Sequence, residues 1–504
     1  MERIGVIGLD SNSIRVMLAE IEDSGYFKII DELQESVRIG LDLIENSYIS
    51  KEKIDKTIAT LKSFKSLCTV SGASQIITIA TEALNAAENK SELKERVLKE
   101  LSLKIRILSF DEEIYYNHLG IKNSIYSDNS LMVDIRGSHT HVAWLKGKDL
   151  YKKFTMPVGC INISKMFKLE DTVHFLSSES ANDYVEDLLK KNTWLFETKF
   201  DNIIGIGGTI RNLAKIDQRK KRYPIDTLHN YIFNDYDLNE SYNLLKCKNL
   251  KGRLKINGLS IDRADVIVGG TIIIHKIVEL LSINEIKVCG RGLREGIIHE
   301  YLNNNYASSQ EDILDYSIHG IIETLNINKP HADNVYNITY KLFQALKPLH
   351  HLSDEYNNLI KTASLLHDCG ISIRYYDHHL HSLYIILNSP ISGLSHKELL
   401  LSALIAAMHR NNEYQIPLAK YSNIINRSDV NVVERIGVLL KIAEGLDRGL
   451  VGAVKDFQVN ILENAVELNL FSDNDMALEI AQALRAKYKF KEVYNKELIV
   501  NKKL

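Results

Sequence analysis

One stretch limits the fold of this chain more than any other: Met132-Val133-Asp134-Ile135-Arg136-Gly137-Ser138-His139-Thr140-His141-Val142, an apolar run interrupted by a polar turn with a single glycine. It reads as a strand, a tight turn and a second strand. An aspartate closing a buried strand, followed by small polar residues, sets a carboxylate beside several backbone N–H groups, which suits a magnesium–phosphate ligand. Two partners for this unit occur elsewhere: Val6-Ile7-Gly8-Leu9-Asp10-Ser11-Asn12-Ser13-Ile14-Arg15 and Ile204-Gly205-Ile206-Gly207-Gly208-Thr209-Ile210-Arg211. Three strand–turn units so widely spaced predict two similar halves closing on one cleft.

The flanking patterns agree. Strands are expected over 4–9, 15–21 and 27–39, a helix over 50–68, a strand over 75–79, a helix over 81–101 and a strand over 104–108. The order repeats from Leu131, with strands over 131–135, 140–145 and 152–157, helices near Ile163 and over 181–191, and strands over 202–206 and 285–289. From about Ser308 alternation gives way to helical periodicity, over 312–325, 331–346, 354–366, 397–408 and 432–449. The end changes again, to a strand pair over 456–462 and 465–471, a helix over 476–487 and a closing strand over 489–500. The expected division is 1–125, 126–305 with a helix over 292–304 returning to the first part, a helical domain over 306–450, and a small α/β piece over 451–504.

With 504 residues, 45% hydrophobic and 25% charged, the chain can bury several cores. A net charge of -3 gives no general attraction to nucleic acid or membrane, so a polyanion must be held by local clusters. Arg219-Lys220-Lys221-Arg222 and the group Lys246, Lys248, Lys251, Arg253 and Lys255 read either as solvated faces or as polyanion contacts. Cys68, Cys160, Cys247, Cys289 and Cys369 show no paired spacing, which fits a reducing cytoplasm rather than a disulfide or zinc framework. No leader precedes the first strand, and the most apolar segment, 266–281, carries His275, Lys276 and Glu279, too polar for a membrane span.

Ser11-Asn12-Ser13-Ile14-Arg15, Ala80-Thr81-Glu82-Ala83-Leu84, Asp111-Glu112-Glu113, Val133-Asp134-Ile135, Pro157-Val158-Gly159, Gly207-Gly208-Thr209-Ile210-Arg211, Arg263-Ala264-Asp265 and Gly292-Leu293-Arg294-Glu295-Gly296 resemble, in order, the motifs of the Ppx/GppA family of exopolyphosphatases and guanosine pentaphosphate phosphatases. The resemblance implies an α/β, actin-like (ribonuclease H-like) duplicated ATPase fold. It also implies release of terminal phosphate from inorganic polyphosphate or of the 5′ γ-phosphate from guanosine pentaphosphate, with Mg2+ in the cleft. A homodimer is the expected assembly. A different reading keeps the fold but makes the cleft a degenerate ligand sensor that regulates the helical domain or a protein partner.

Ser109 and Glu112 have the spacing of a capping box, which explains Glu112 as a helix start. Glu113 is left over, and the resemblance assigns it the role of general base for the attacking water. Asp134 reads either as a turn cap or, by resemblance, as the metal-side aspartate. Gly207, Gly208 and Thr209, with Arg211 beyond them, stand at a strand-to-helix junction where backbone N–H groups can approach phosphate. Ser11, Asn12, Ser13 and Arg15 form the matching first loop, and Arg136, Gly137 and Ser138 the second.

This chain departs from the family pattern in both loops. Gly8 stands where the first loop has an aspartate, and Asp10 follows two residues later, on the same side of the strand and roughly 6 to 7 Å away. Arg136, Ser138, His139 and His141 replace two glycines, a serine and a glutamate of the second loop, and Asn85 replaces an arginine. Asp10 is the candidate substitute metal ligand, and Arg136 a candidate phosphate ligand from a new position.

The helical region carries His331, His367-Asp368, His381, His409 and Asp447, an order that resembles the HD superfamily of metal-dependent phosphohydrolases. Imidazoles with carboxylates suit Mn, Fe, Co or Zn. The alternative is a structural or polyphosphate-gripping module. His378 and His379 are left unassigned.

Overall fold

The structure is a computed structural model describing residues 1–306, 312–410, 415–473 and 475–503; the expected transition at Ser308 falls outside them. It divides into two compact units, Met1–Glu311 and Asp312–Leu504.

In the first unit, β1 (Glu2–Leu9), β2 (Ser13–Ile21), β3 (Phe27–Ser36), β4 (Gln75–Ala80) and β5 (Arg106–Ile107) form one sheet in the order β3-β2-β1-β4-β5. The first three strands run as an antiparallel meander and the last two join in parallel. β6 (Asn129–Ile135), β7 (Thr140–Lys146), β8 (Asp149–Met156), β9 (Asn202–Ile206), β10 (Ile232–Asn234) and β11 (Glu285–Val288) form the second sheet, in the order β10-β11-β9-β6-β7-β8. Apart from the added antiparallel edge strand β10, the order and directions of the first sheet are repeated. The duplication expected from the three strand–turn units is therefore built into the sheets.

Both faces of β1 are covered, which is why it reads as an almost unbroken apolar run. Ile7 and Leu9 join a core with Ile54, Leu61 and Phe64 of the helix Lys51–Val70, while Ile4 and Val6 point the other way, against Tyr116, Leu119, Ile297 and Ile298. The helix Phe110–Lys122 serves both sheets: Tyr116 and Leu119 face the first, and Ile114 and Ile121 pack with Met132, Ile204 and Ile206 of the second. The helix Leu293–Asn305 returns to the first sheet as expected.

Three sequence expectations are corrected. The strand over 27–39 stops at Ser36, and the helix Ile39–Asn46 follows. The helix over 81–101 is a 3₁₀ turn, Glu82–Ala86, and a separate helix, Lys90–Leu101; between them Asn89 exchanges hydrogen bonds with the backbone of Ile49. The strand over 489–500 is the helix Lys487–Tyr494, whose Phe490 and Tyr494 are buried one turn apart, followed after Asn495 (φ 53°) by a strand.

In the second unit, the helices Ile313–Thr324, Lys329–Ala345, Asn357–Leu366, His378–Asn388, His396–Ala407 and Arg427–Leu446 precede a sheet of β12 (Asp456–Ile461), β13 (Ala465–Phe471) and β14 (Glu497–Lys503). This terminal piece packs tightly on the helices: a Cβ at Gly445 would lie 2.6 Å from the Ala483 nitrogen. Among the described residues, no helix is long and apolar enough to cross a membrane.

The join between the returning helix and Phe110–Lys122 depends on glycine, since a Cβ at Gly296 would lie 1.9 Å from the Tyr116 carbonyl oxygen. Gly296→Ala forces the two helices apart and is expected to cost about 3 kcal/mol. Urea unfolding monitored by circular dichroism measures it; a loss within about 0.5 kcal/mol would show that the helices are not held in this register.

Candidate active site

The ends of β1, β6 and β9 and the start of the helix Leu293–Asn305 surround one cavity. Its lining includes Asp10, Asn12, Ser13, Arg15, Asp134, Arg136, Gly137, Gly207, Gly208 and Arg211, all expected from the sequence. Gly207 has φ +91° and opens the helix Gly207–Lys221. A Cβ there would lie 2.8 Å from Asp134 Oδ1, and one at Gly208 would lie 2.5 Å from Arg263 Nη2. Both glycines are needed for the backbone and the helix N-terminus to come this close to the cavity.

Three expected phosphate contacts do not reach the lining. Ser11 is tucked under the second loop, where a Cβ on Gly137 would lie 2.3 Å from its hydroxyl oxygen. Thr209 is buried against Gly270. Ser138 Oγ lies 3.1 Å from His139 Nδ1. Arg263, Arg294, Asn117 and Glu295 line the cavity without having been singled out. The quoted motifs around Arg263 and Arg294 were the available signal.

Five guanidinium groups, from Arg15, Arg136, Arg211, Arg263 and Arg294, thus face one cavity. Burial, together with repulsion from Arg211, Arg294 and Arg263, pulls the Arg15 pKa down to about 10. Such crowding is relieved by a multiply charged anion. A second cavity shares Arg15, Gly208, Arg211 and Arg263 with the first and adds Lys215 and Gln34 together with the carboxylates Glu32 and Asp262.

Arg136 ties the carboxylates together. Its Nε donates to Asp134 Oδ2 at 2.7 Å, Nη1 lies 3.4 Å from Asp10 Oδ2, and Nη2 lies 3.6 Å from Glu113 Oε2. Asp134 also accepts from Asn117 Nδ2 at 2.7 Å. Burial raises the Asp134 pKa, but Arg136, His141 and the Asn117 hydrogen bond together outweigh it and the net shift is downward. The same opposition, with His139 and His141 adding to Arg136, holds Glu113 far below the usual carboxylate range. Glu113 is 0% exposed and its Oε1 accepts the Glu82 N–H at 2.7 Å, so it lies behind the cavity rather than in its wall. Ser109 and Glu112 form the expected capping box.

The second unit gathers its own group. His331 Nε2, His367 Nε2, His378 Nε2 and His409 Nε2 lie 3.7, 3.6, 3.0 and 3.5 Å from the carboxylate of Asp368. The far nitrogens of His367, His378 and His409 sit 2.6 to 2.7 Å from the carbonyl oxygens of Ser364, Tyr375 and Ala406, which fixes each ring with Nε2 inward. Burial raises the Asp368 pKa, but His367, His378 and His409 lower it more, and it falls well below the usual range.

Two expectations are corrected here. His378, the first residue of its helix, enters the group in place of His381, which stands almost one turn later and is half exposed. Asp447 lies behind the group: its Oδ2 is 2.7 Å from His331 Nδ1 and its Oδ1 accepts the Gly452 N–H, so it orients His331 rather than facing Asp368.

Comparison with known proteins decides the family. Residues 17–305 match the Ppx/GppA phosphatase family and 313–487 match domain III of those phosphatases. The chain belongs to the Ppx/GppA phosphatase family. It is a phosphate-releasing hydrolase of that family. It is 28% identical over 310 residues to a bifunctional 3-dehydroquinate synthase/phosphatase of Fusobacterium nucleatum, covering 59% of this chain but only 46% of that protein. It is 24% identical over 475 residues to a guanosine-5'-triphosphate,3'-diphosphate pyrophosphatase of Aeromonas hydrophila, covering 92% and 91% of the two chains. The crystal structure of the Aquifex aeolicus Ppx/GppA family member superposes with a TM-score of 0.54 at 26% identity, over 61% of this chain and 99% of that one. An exopolyphosphatase from Cytophaga hutchinsonii shares the fold, with a TM-score of 0.57 at 23% identity over 60% and 98% of the chains.

Ppx/GppA phosphatases are metal-dependent as a family. In this member the cleft does not fit a magnesium ion at Asp10 and Asp134. Arg136 occupies the space between those carboxylates, and Asp10 Oδ1 is turned back onto the Ser11 N–H at 2.7 Å. The helical group fits a metal well. His331 Nε2, His367 Nε2 and Asp368 Oδ1 are buried without hydrogen-bond partners, and two ligand triads, His331-His367-Asp368 and Asp368-His378-His409, share one carboxylate.

Room exists to restore the first loop, because a Cβ on Gly8 would meet nothing closer than Ile79 Cδ1 at 3.6 Å. Gly8→Asp combined with Arg136→Gly supplies a carboxylate and removes the competing cation. Magnesium affinity of the cleft is expected to rise by about 10²-fold or more. Calorimetric titration checks this, and identical isotherms from the altered and unaltered proteins would show that Arg136 does not exclude the ion.

Proposed function

We propose that this phosphatase releases the terminal phosphate of inorganic polyphosphate in the arginine-lined cleft. The observation that carries the reading is the run of shared arginines, Arg15, Arg211 and Arg263, that borders both cavities, with Lys215 extending it in the second beside the carboxylates Glu32 and Asp262. A phosphate chain carries charge along its whole length and matches such a run; one terminal phosphate needs only the first cavity. No aromatic side chain lines either cavity among the described residues, so a guanine base would lack the stacking worth about 1–3 kcal/mol. The Aeromonas relative, covered over 92% of this chain, favours guanosine pentaphosphate as the second reading.

In the reaction, the terminal phosphate lies against the N-terminus of Gly207–Lys221, with Arg211 and Arg263 on its oxygens. The bound anion competes with Glu113 for Arg136. Once the guanidinium moves to the phosphate, Glu113 is uncovered and accepts the proton of the attacking water as the phosphoanhydride bond breaks. The shortened chain leaves with its charge held by Arg15 and Lys215. Asp134 keeps Arg136 in reach throughout.

Two measurements test this. The kcat/KM for polyphosphate is expected to exceed that for guanosine pentaphosphate by about tenfold or more, and Glu113→Gln is expected to lower kcat by about 10²-fold or more with KM little changed. A preference for the nucleotide overturns the substrate assignment, and an unaltered kcat overturns the role of Glu113.

We also propose that the helical unit holds a transition metal, Mn, Fe, Co or Zn, on His331, His367, Asp368, His378 and His409. The orphaned inward nitrogens support it, and imidazole donors disfavour magnesium or calcium. Such an ion supplies Lewis acidity when bound. His367→Ala with Asp368→Ala is expected to remove at least one equivalent of metal per chain by elemental analysis, while phosphate release in the cleft persists. Unchanged metal content would show the group to be structural.

A further inference from the structure

We infer that Glu113, His139 and His141 form a second binding site, for one divalent transition metal, buried behind the N-terminal cleft. Glu113 Oε2 lies 3.3 Å from His141 Nε2 and 3.6 Å from His139 Nε2, and one ligand atom from each residue lies within 4.8 Å of the others. All three side chains are buried, and His139 Nε2 has no hydrogen-bond partner.

The surroundings prepare both rings for coordination. His139 Nδ1 sits 3.1 Å from Ser138 Oγ and His141 Nδ1 sits 2.9 Å from Thr155 Oγ1. A hydroxyl at the far nitrogen fixes the ring and leaves the Nε2 lone pair for an ion. Phe110 packs against both imidazoles, with centroids 4.7 and 5.7 Å away, which limits their rotation. Two imidazoles and one carboxylate form a three-ligand set suited to zinc, cobalt or iron(II), with positions left open.

Charge points the same way. Asp134 and Glu113 are both buried, yet among the described residues Arg136 is the one guanidinium in contact with either. One buried negative charge is therefore left over, which a dication on Glu113 Oε2 offsets. Glu113 Oε1 remains on the Glu82 N–H, so a single oxygen of the carboxylate suffices for the ion. With the ion bound Glu113 is its ligand, and without it Glu113 is the base of the mechanism above; Glu113→Gln loses turnover in either role. A metal count separates them.

The test starts from the His367→Ala, Asp368→Ala protein, whose changes lie in the other unit, so that the helical centre does not contribute. After incubation with one equivalent of cobalt(II) or zinc and desalting, elemental analysis is expected to find close to one ion per chain. Adding His139→Ala and His141→Ala should bring this near zero, and His141→Asp, which keeps a ligand, should retain the ion. Absence of stoichiometric metal from the folded starting variant overturns the inference. So does retention of the ion after both histidines are removed. Neither result depends on phosphate release, so the hydrolase reading stands or falls separately.

Discussion

The contact of Arg136 with Asp134 sets the form of the whole cleft. Taking both groups out of water is costly, and the pair is retained only because each has further partners. Asp134 is held by Asn117, and the turn that carries Arg136 is fastened at nearly every backbone group. The Arg136 N–H donates to the His139 carbonyl, the Arg136 and Gly137 carbonyls accept from the Cys160 and Ile161 N–H groups, and Asn162 reaches the Ser138 carbonyl. Breaking the pair would leave Asp134 and Glu113 buried without the cation they share, a situation that typically costs about 3–5 kcal/mol. The loop is therefore rigid because of its charges as much as its hydrogen bonds.

That rigidity makes the remaining arginines significant. Arg15, Arg211, Arg263 and Arg294 crowd the same cavity, and burial first, then repulsion from the other three, holds the Arg15 pKa down. A protein that keeps such a cluster gains stability whenever an anion binds the folded state and not the unfolded one. The glycines at 207 and 208 belong to the same arrangement, since each is pressed against a charged side chain, Asp134 or Arg263. Affinity for phosphate and conformational strain are thus located in the same few residues.

Much of this was readable from residue order. The three strand–turn units fixed two repeated sheets because their apolar runs are the buried central strands, and the Ser109 capping box accounted for Glu112 as it stands. What residue order could not supply was the rotation of short elements. The choice of His378 over His381 depends on where a helix begins, and Asp377, with φ 55°, sets that point. Asp447 fell behind His331 because the helix Arg427–Leu446 ends one residue earlier, turning the carboxylate to the Gly452 N–H. Sequence position alone does not show that His139 and His141 meet Glu113, because the contact crosses from β7 and its preceding turn to the helix Phe110–Lys122.

The altered loops are best understood together rather than as separate losses. Replacing a glycine by Arg136 installs a permanent cation, since a guanidinium stays protonated at any physiological pH. Replacing a glutamate by His141 removes a negative charge from the same buried space. Each change alone would unbalance a site built from oxygen ligands around a magnesium ion; together they leave a guanidinium on Asp134 and Glu113 and two imidazoles facing Glu113. The glycine-rich helix start and the surrounding arginines, the proposed phosphate contacts, lie outside both replaced positions. That independence explains how the cation chemistry of the cleft could change while its architecture was retained.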